Sequence, residues 1–558
     1  MEYLIYRNNP VSQFIHISLK FNCSLGEKVI LQLPCWRPGR YEITNYAQKI
    51  KGLAVKFGNH AIPFNKVNKD QWQFEALFEG QFTVNYQFHA SQMDAGGSWS
   101  DDQQLYLNFI NFAFELKGRE QETVEIMLDF PENYKIATAL PRLGESHFHA
   151  NDFQHLVDCP LIASHDLQHF TYEVNGTKFN LWFQGEIHFN VEDVLAHFKS
   201  YTEKQIEAFG EFPVKEYHFL YQLLPYKHYH GVEHQTSTVI TFGPAEALKE
   251  KSSLDEFIGV SCHELYHSWN VCQIRPKELL PYDFSKEAYI DTGVVAEGVT
   301  TYMGDIFLLQ SGYFELEDYL KILEKQIKRE FESFGWQNQS ITESSWDLWL
   351  DGYKLGIPDK KVSIYNKGAL IAICLDLILL EQESSLHEVM KKMWEKFGKP
   401  FKGYSLTDFE KICQSCSQNH ALISHFFEEF IYGKKDIQPL LQEQLESINI
   451  NWEVTEQPDP WLKYWGIKVK EDGTIIKIHP QSPAYHRVML GDKILSINSI
   501  PYPESPQPSP TTLNLEIDRF GRILNLQLET GERAFYPTIQ LKKGKSISKR
   551  KKWLGKAP

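Results

Sequence analysis

The sequence predicts a multidomain α+β protein, with a β-rich N-terminal domain, a mostly α-helical middle domain and a β-rich C-terminal domain. Three observations predict it. The chain has 558 residues, and a single hydrophobic core stops growing at roughly 250–300 residues. Residues 1–165 read almost wholly as short runs of period two. From about 166 long helix-like segments take over, and from about 446 the chain returns to short strands and glycine turns.

The elements follow in order. Alternating runs at Ile15–Leu19, Val29–Leu33, Thr83–Phe88 and Thr123–Leu128 are separated by turn residues and read as strands of the first domain. The second domain, 166–445, opens with strands at Phe219–Leu224 and Ser237–Phe242 and is helical from Ser253 to beyond Phe430. The third, 446–545, carries a proline-rich loop at Pro501–Pro510. A basic tail, 546–558, is expected to be solvated and frayed.

Composition narrows the function. A formal net charge of −15 argues against nucleic acid as a partner. The longest apolar run, Ala369–Leu380, contains Asp376 and falls short of the ~20 residues a membrane span needs. The first residues lack the basic start and apolar run of a signal peptide. A cytoplasmic protein without a membrane span is therefore expected. Cys413 and Cys416 form a CxxC with no second ligand pair near by, so they and the other six cysteines are expected to be free thiols.

The chemistry lies at His263-Glu264-Leu-Tyr-His267. On a helix, His263 and His267 stand one turn apart on one face. Leu254, Ile258, Leu265 and Trp269 fall opposite and bury the helix. Two such imidazoles suit one zinc ion, with Glu264 beside them as general base. Zinc peptidases need a third protein ligand. Glu278, Asp283, Glu287, Asp291, Glu297 and Asp305 are the downstream candidates. Glu278 to Asp291 lie in a polar, proline-containing stretch that reads as loop. Glu297, within Gly293-Val-Val-Ala-Glu-Gly-Val-Thr-Thr-Tyr302, reads as part of a second helix, a more rigid platform. One zinc per chain is expected. It would acidify a water, whose proton Glu264 takes and passes to the leaving amine.

HELYHSWN followed by VVAEGVTTY resembles the glycyl aminopeptidase family of gluzincin zinc metallopeptidases, also called metallopeptidase family 61. The resemblance runs through nearly the whole chain and includes Leu33–Tyr41 of the first domain. It implies a thermolysin-like catalytic domain and removal of N-terminal residues, small ones such as glycine or alanine, from peptides with a free N-terminus. Tyr365, in Tyr-Asn-Lys-Gly, is similar to the family's tyrosine that donates to the oxyanion. His230-Gly231-Val232-Glu233-His234 is similar to its substrate-binding segment, in which Glu233 binds the α-amine. Two positions depart from the family: His230 replaces a glycine, and no aromatic residue precedes Glu297 in Thr292-Gly-Val-Val295.

The third domain resembles a PDZ module. Tyr464-Trp465-Gly466-Ile467 is similar to its carboxylate-binding loop, and Ser482-Pro-Ala484 and Leu490–Asn498 to its helix and central strand. Trp465, Gly466 and Ile467 would then hold a C-terminal peptide. Two other readings stay open: a zinc endopeptidase, and a PDZ-bearing scaffold with a vestigial metal site.

Overall fold

The structure, a computed structural model, describes residues 1–354, 356–504, 512–531 and 533–556. Most of the proline-rich loop, 505–511, lies outside the described residues. The chain divides into two compact units. The larger holds Met1–Glu315, Gly335–Ile437 and the segment from Lys551; the smaller holds Leu316–Phe334 and Gln438–Arg550.

Period-two alternation becomes a β-sandwich-like first domain. Phe14–Cys23 and Gly80–His89 pair antiparallel, matching Ile15 with Phe88, Ile17 with Tyr86 and Leu19 with Val84. These side chains turn to one face and are buried together. Glu2–Tyr6 joins this seven-stranded sheet on one side and Ile50–Phe57 on the other, while two four-stranded sheets complete the domain. All four predicted strands are present, at Phe14–Cys23, Lys28–Gln32, Gly80–His89 and Val124–Asp129.

The middle part opens with a five-stranded sheet in the order Gln168–Val174, Thr177–Gln184, Glu216–Leu223, Ser237–Gly243, His228–Glu233. A helix at Val191–Phe209, capped by Asn190 and closed by Gly210 at φ 91°, makes the crossover between the two central parallel strands. His228–Glu233 is left at the sheet edge, paired only with Ser237–Gly243. Helices follow from Lys251 onward. All eight cysteines are buried and free, Cys413 and Cys416 included. No helix among the described residues is long and apolar enough to cross a membrane.

In the smaller unit, a four-stranded sheet (Ile500–Pro501, Lys493–Ile497, Leu513–Arg519, Arg522–Leu528) and two hairpin-like pairs surround an apolar core that includes Trp465, Ile467 and Ile517. The helix Leu316–Phe331 belongs here, although the sequence pattern places it in the middle domain. Glu324 accepts from the Leu541 backbone N–H at 2.6 Å, and Phe331 packs on Trp452. Gly466, at φ 63°, donates its N–H to the Trp461 carbonyl, and its own carbonyl accepts from His479 at 2.7 Å. Trp465 is fully buried, and Ile467 pairs with Ile478.

The expectation of a frayed basic tail is corrected. Ser548–Trp553 is helical. Arg550 donates to the Asn449 and Gly544 carbonyls. Trp553 is only 2% exposed, and its indole N–H donates to the Tyr302 hydroxyl at 2.9 Å. The basic charges concealed an apolar anchor: burying one indole outweighs fraying of a short terminal turn.

Candidate active site

The metal motif sits on the helix Lys251–Tyr266, with His267 just past its last turn. Phe257, Ile258 and Leu265 bury one face of this helix. Phe257 packs against Tyr221 and Phe242 of the sheet, and Ser261 shares a 3.0 Å hydrogen bond with the Tyr221 hydroxyl. The sheet thereby sets the rotation of the helix. Their Nε2 atoms stand 3.0 Å apart.

The second helical segment runs through a π-helical turn, Val294–Val299, into Thr300–Gln310. Glu297 lies in that turn. Its Oε2 is 3.5 Å from His267 Nε2 and 3.8 Å from His263 Nε2. These three residues form a group able to hold a metal ion, their ligand atoms all within 4.8 Å of one another. Among the described residues, none of the other five acidic candidates joins such a group. Glu297 is 3% exposed, and its Oε2 makes no hydrogen bond; nor does the buried Oε2 of Glu264. Buried carboxylate oxygens without donors are costly unless a cation meets them. Two imidazoles and a carboxylate are a donor set that zinc takes, so the residues fit the ion.

Asn270, to which sequence spacing assigned no role, organises this centre. His267 Nδ1–H donates to the Asn270 carbonyl at 2.6 Å, which leaves Nε2 as the ring nitrogen facing Glu297. The Asn270 amide donates to the Val295 carbonyl at 2.7 Å and to Thr300 Oγ1 at 3.0 Å. One side chain therefore ties the histidine loop to the π-turn that presents the glutamate. Such turns leave backbone groups to be satisfied from outside, and Asn270 satisfies one of them.

Two more functional side chains converge here. Gly231 on the edge strand lies so close to Glu264 that any Cβ there would collide with the carboxylate. Glu233, two residues on, faces the same way and groups with Glu264 and His267. The alternate residues turn aside. Val232 packs into an apolar cluster with Leu220 and Val239, and His234 Nδ1 stands 3.0 Å from Asp158. His230, the residue that departs from the family, is held 3.4 Å from Arg37 Nη2, and so does not block the Gly231 face. Tyr365 precedes the helix Asn366–Glu381. That helix meets the Glu297 segment where Gly298 faces Gly368: a Cβ on Gly298 would lie 2.5 Å from Gly368 Cα, and the reciprocal distance is 2.6 Å. Only glycines allow this approach.

The first domain closes the site. Its Arg37–Arg40 turn is pinned by Trp36 Nε1–H donating to the Asp283 carbonyl at 2.8 Å and by Cys35 N–H donating to that of Phe284 at 2.9 Å. Gly39, at φ 75°, meets the Glu233 carboxylate, 2.5 Å from where its Cβ would be. The Tyr353 hydroxyl donates to the Gly39 carbonyl at 3.2 Å. The Leu33–Tyr41 segment therefore borders Glu233.

The electrostatics follow from burial and crowding. Burial, then the Glu233 and Glu297 carboxylates, push Glu264 up to about 8 against the pull of His267. Burial raises Glu233 also. It holds His263 well below its ordinary value. Burial opposes charge on His267, but Glu297 and Glu233 outweigh it and lift that histidine to about 10. Burial and Glu297 raise the Tyr365 hydroxyl, so it stays a hydrogen-bond donor. Three carboxylates around two imidazoles make a region in need of positive charge.

A helix bearing two histidines a turn apart, a facing glutamate and a free carboxylate base define a zinc metallopeptidase. The comparisons agree. The profile of the peptidase M61 N-terminal domain matches residues 2–165, and that of the M61 glycyl aminopeptidase matches residues 256–371. The chain belongs to the M61 peptidase family. No curated protein matches it in sequence. Among solved structures, an aminopeptidase N family protein from Idiomarina loihiensis is 27% identical, with a TM-score of 0.90 over 99% of each chain. An M1 zinc metallopeptidase from Deinococcus radiodurans is similar in fold, with a TM-score of 0.50 at 13% identity over 78% of this chain and 94% of its own.

Proposed function

We propose that the protein is an aminopeptidase that removes single residues from the free N-terminus of peptides, small residues such as glycine and alanine among them, with one zinc held by His263, His267 and Glu297. One observation carries the exopeptidase reading: Glu233 is a buried carboxylate at the metal-site end of the edge strand, and among the described residues no lysine or arginine pairs with it. A substrate ammonium supplies that missing charge in a charge-assisted hydrogen bond. An endopeptidase has no use for it.

When bound, zinc supplies Lewis acidity and an acidified water. Glu264, next to the proposed ligand His263 and facing the Gly231 strand edge, is placed to take a proton from that water and return it to the leaving amine. Tyr365, protonated at neutral pH, donates to the developing oxyanion. Glu233 fixes the amine, so the first peptide carbonyl is the one presented. The Gly231 backbone, running along the sheet edge, can add the peptide as a further strand. In the smaller unit, the Trp465–Ile467 loop is the proposed seat of a C-terminal peptide.

The test is hydrolysis of aminoacyl anilides with and without a chelator. Release from glycine or alanine anilides that stops with chelator and returns with zinc is expected, and N-acetylated substrates should be inert. Rapid cleavage of blocked peptides would favour the endopeptidase. A zinc-containing protein inert on every peptide would favour the scaffold.

A further inference from the structure

At the seam between the first domain and the rest of the larger unit lies a cavity of about 360 Å3. Asp152 and Asp158 line it from the first domain, and His234, Arg275, Tyr282 and Phe401 from beyond residue 165. None of His263, His267 and Glu297 lines it, so it is separate from the metal-ligand group. A water molecule takes up only about 30 Å3, so the cavity has room for a molecule of several non-hydrogen atoms.

The lining holds a buried cation without a counter-charge. Arg275 is 6% exposed. Its side-chain Nη2 donates to the Cys272 carbonyl at 2.8 Å, while Nε is buried without a partner. Among the described residues it enters no ion pair. Its central carbon lies 4.3 Å from the centre of the Tyr282 ring and 5.1 Å from that of Phe401. Rings meet the face of a guanidinium, whereas its hydrogen bonds leave in the plane. The two rings therefore do not use up its donors. The Arg275 backbone is fixed, since its carbonyl accepts from the Tyr404 N–H at 3.0 Å. Beside it His234, 7% exposed, has a buried Nε2 that is also unpartnered. The acids of the lining are engaged elsewhere. Asp158 accepts from the Gln235 N–H at 2.9 Å through one oxygen and lies 3.0 Å from His234 Nδ1 through the other. Asp152 accepts from the His155 N–H at 2.7 Å and caps the helix Phe153–Val157. Water can complete hydrogen bonds to a guanidinium but does not neutralise its charge, and a buried charge without a partner is expensive. A carboxylate does both, because its two oxygens match the guanidinium fork. A dianion such as phosphate fits less well, since Asp152 and Asp158 share the cavity and repel a second negative charge more strongly than a first.

We propose that this cavity is a second ligand site, apart from the metal centre, that binds a small monocarboxylate through the guanidinium of Arg275. Its lining comes from both sides of the seam, so a ligand held there ties the first domain to the rest of the larger unit. A ligand that binds only the folded chain stabilises it. The site stands whether or not the protein is an aminopeptidase.

The test titrates sodium acetate into the full-length zinc-loaded protein, with sodium chloride at matched ionic strength as the blank. Binding is read by calorimetry and by the thermal midpoint. Acetate should bind saturably and raise the midpoint beyond chloride. Arg275→Met should weaken binding about tenfold or more, as loss of a hydrogen bond to a charged group requires. Arg275→Lys keeps the charge and loses the fork, so it should bind with intermediate affinity, and it serves if the methionine variant does not fold. Acetate can also meet a bound zinc ion, and His263→Ala separates the two cases. Acetate in the cavity persists in His263→Ala and weakens in the Arg275 variants, whereas acetate on zinc does the reverse. No saturable binding beyond chloride overturns the site. Unchanged affinity in the Arg275 variants, or binding lost in His263→Ala, overturns it as well. Inorganic phosphate binding more tightly than acetate overturns the choice of a monocarboxylate.

Discussion

Glu264 and Asn270 divide the work between chemistry and support. Glu264 is the proposed base and not one of the three proposed ligands, so Glu264→Gln should lower kcat by about 10²–10⁴ while metal analysis still finds zinc bound. Loss of zinc in that variant would show that the carboxylate is structural. Asn270→Ala should behave in the opposite way. It leaves the base and the backbone carbonyl that holds His267 in place, but removes the amide that ties this loop to the π-turn bearing Glu297. Zinc affinity should fall about 10–100-fold, measured by competition with a chromogenic chelator, and saturating zinc should restore much of the activity.

At the scale of elements, the site depends on how closely two helices approach. Gly298 and Gly368 face each other without side chains, next to the proposed ligand Glu297 and three residues from Tyr365, the proposed oxyanion donor. Gly298→Ala should cost about 1–3 kcal/mol of stability through overpacking, read from a denaturant midpoint. It should also lower kcat more than KM, because the helices must separate. What could be read from sequence follows from the same geometry. HExxH shows itself because both histidines lie on one helix, where spacing along the chain equals spacing in space. The strands of the first domain show themselves by period two. Glu297 could be preferred only because it read as helical among six acids, and Tyr365 and Glu233 only through a family resemblance. Asn270, Gly298 and the Gly39 turn were not legible, since their roles consist of contacts with segments far away in the chain. The helix Leu316–Phe331 looked like part of the middle domain for the same reason: nothing local says that it packs with the Thr538–Lys543 strand.

At the scale of the whole molecule, half-buried histidines such as His218 and His230 are held neutral. Burial lowers His218 to about 4, and its Nδ1 accepts the Trp182 indole N–H at 3.2 Å. Burial and Arg37 lower His230 to about 3. Unfolded, such residues take up a proton near 6.5. Between there and their folded values the unfolded state binds more protons, so stability must fall as pH drops from about 6.5 toward 4. Denaturant melts at pH 7, 6 and 5 should show this decline, and His218→Gln should flatten part of it. An unchanged midpoint across that range would mean these histidines are charged when folded.

The docked Trp553 has a consequence for the timing of synthesis. The helix that continues from Glu297 receives this indole on Tyr302, so the larger unit contains a piece made after the whole smaller unit has been translated. Every proposed zinc ligand, the proposed base and Tyr365 leave the ribosome long before this residue. A growing chain thus carries all of these groups before the indole that packs on Tyr302 has been made.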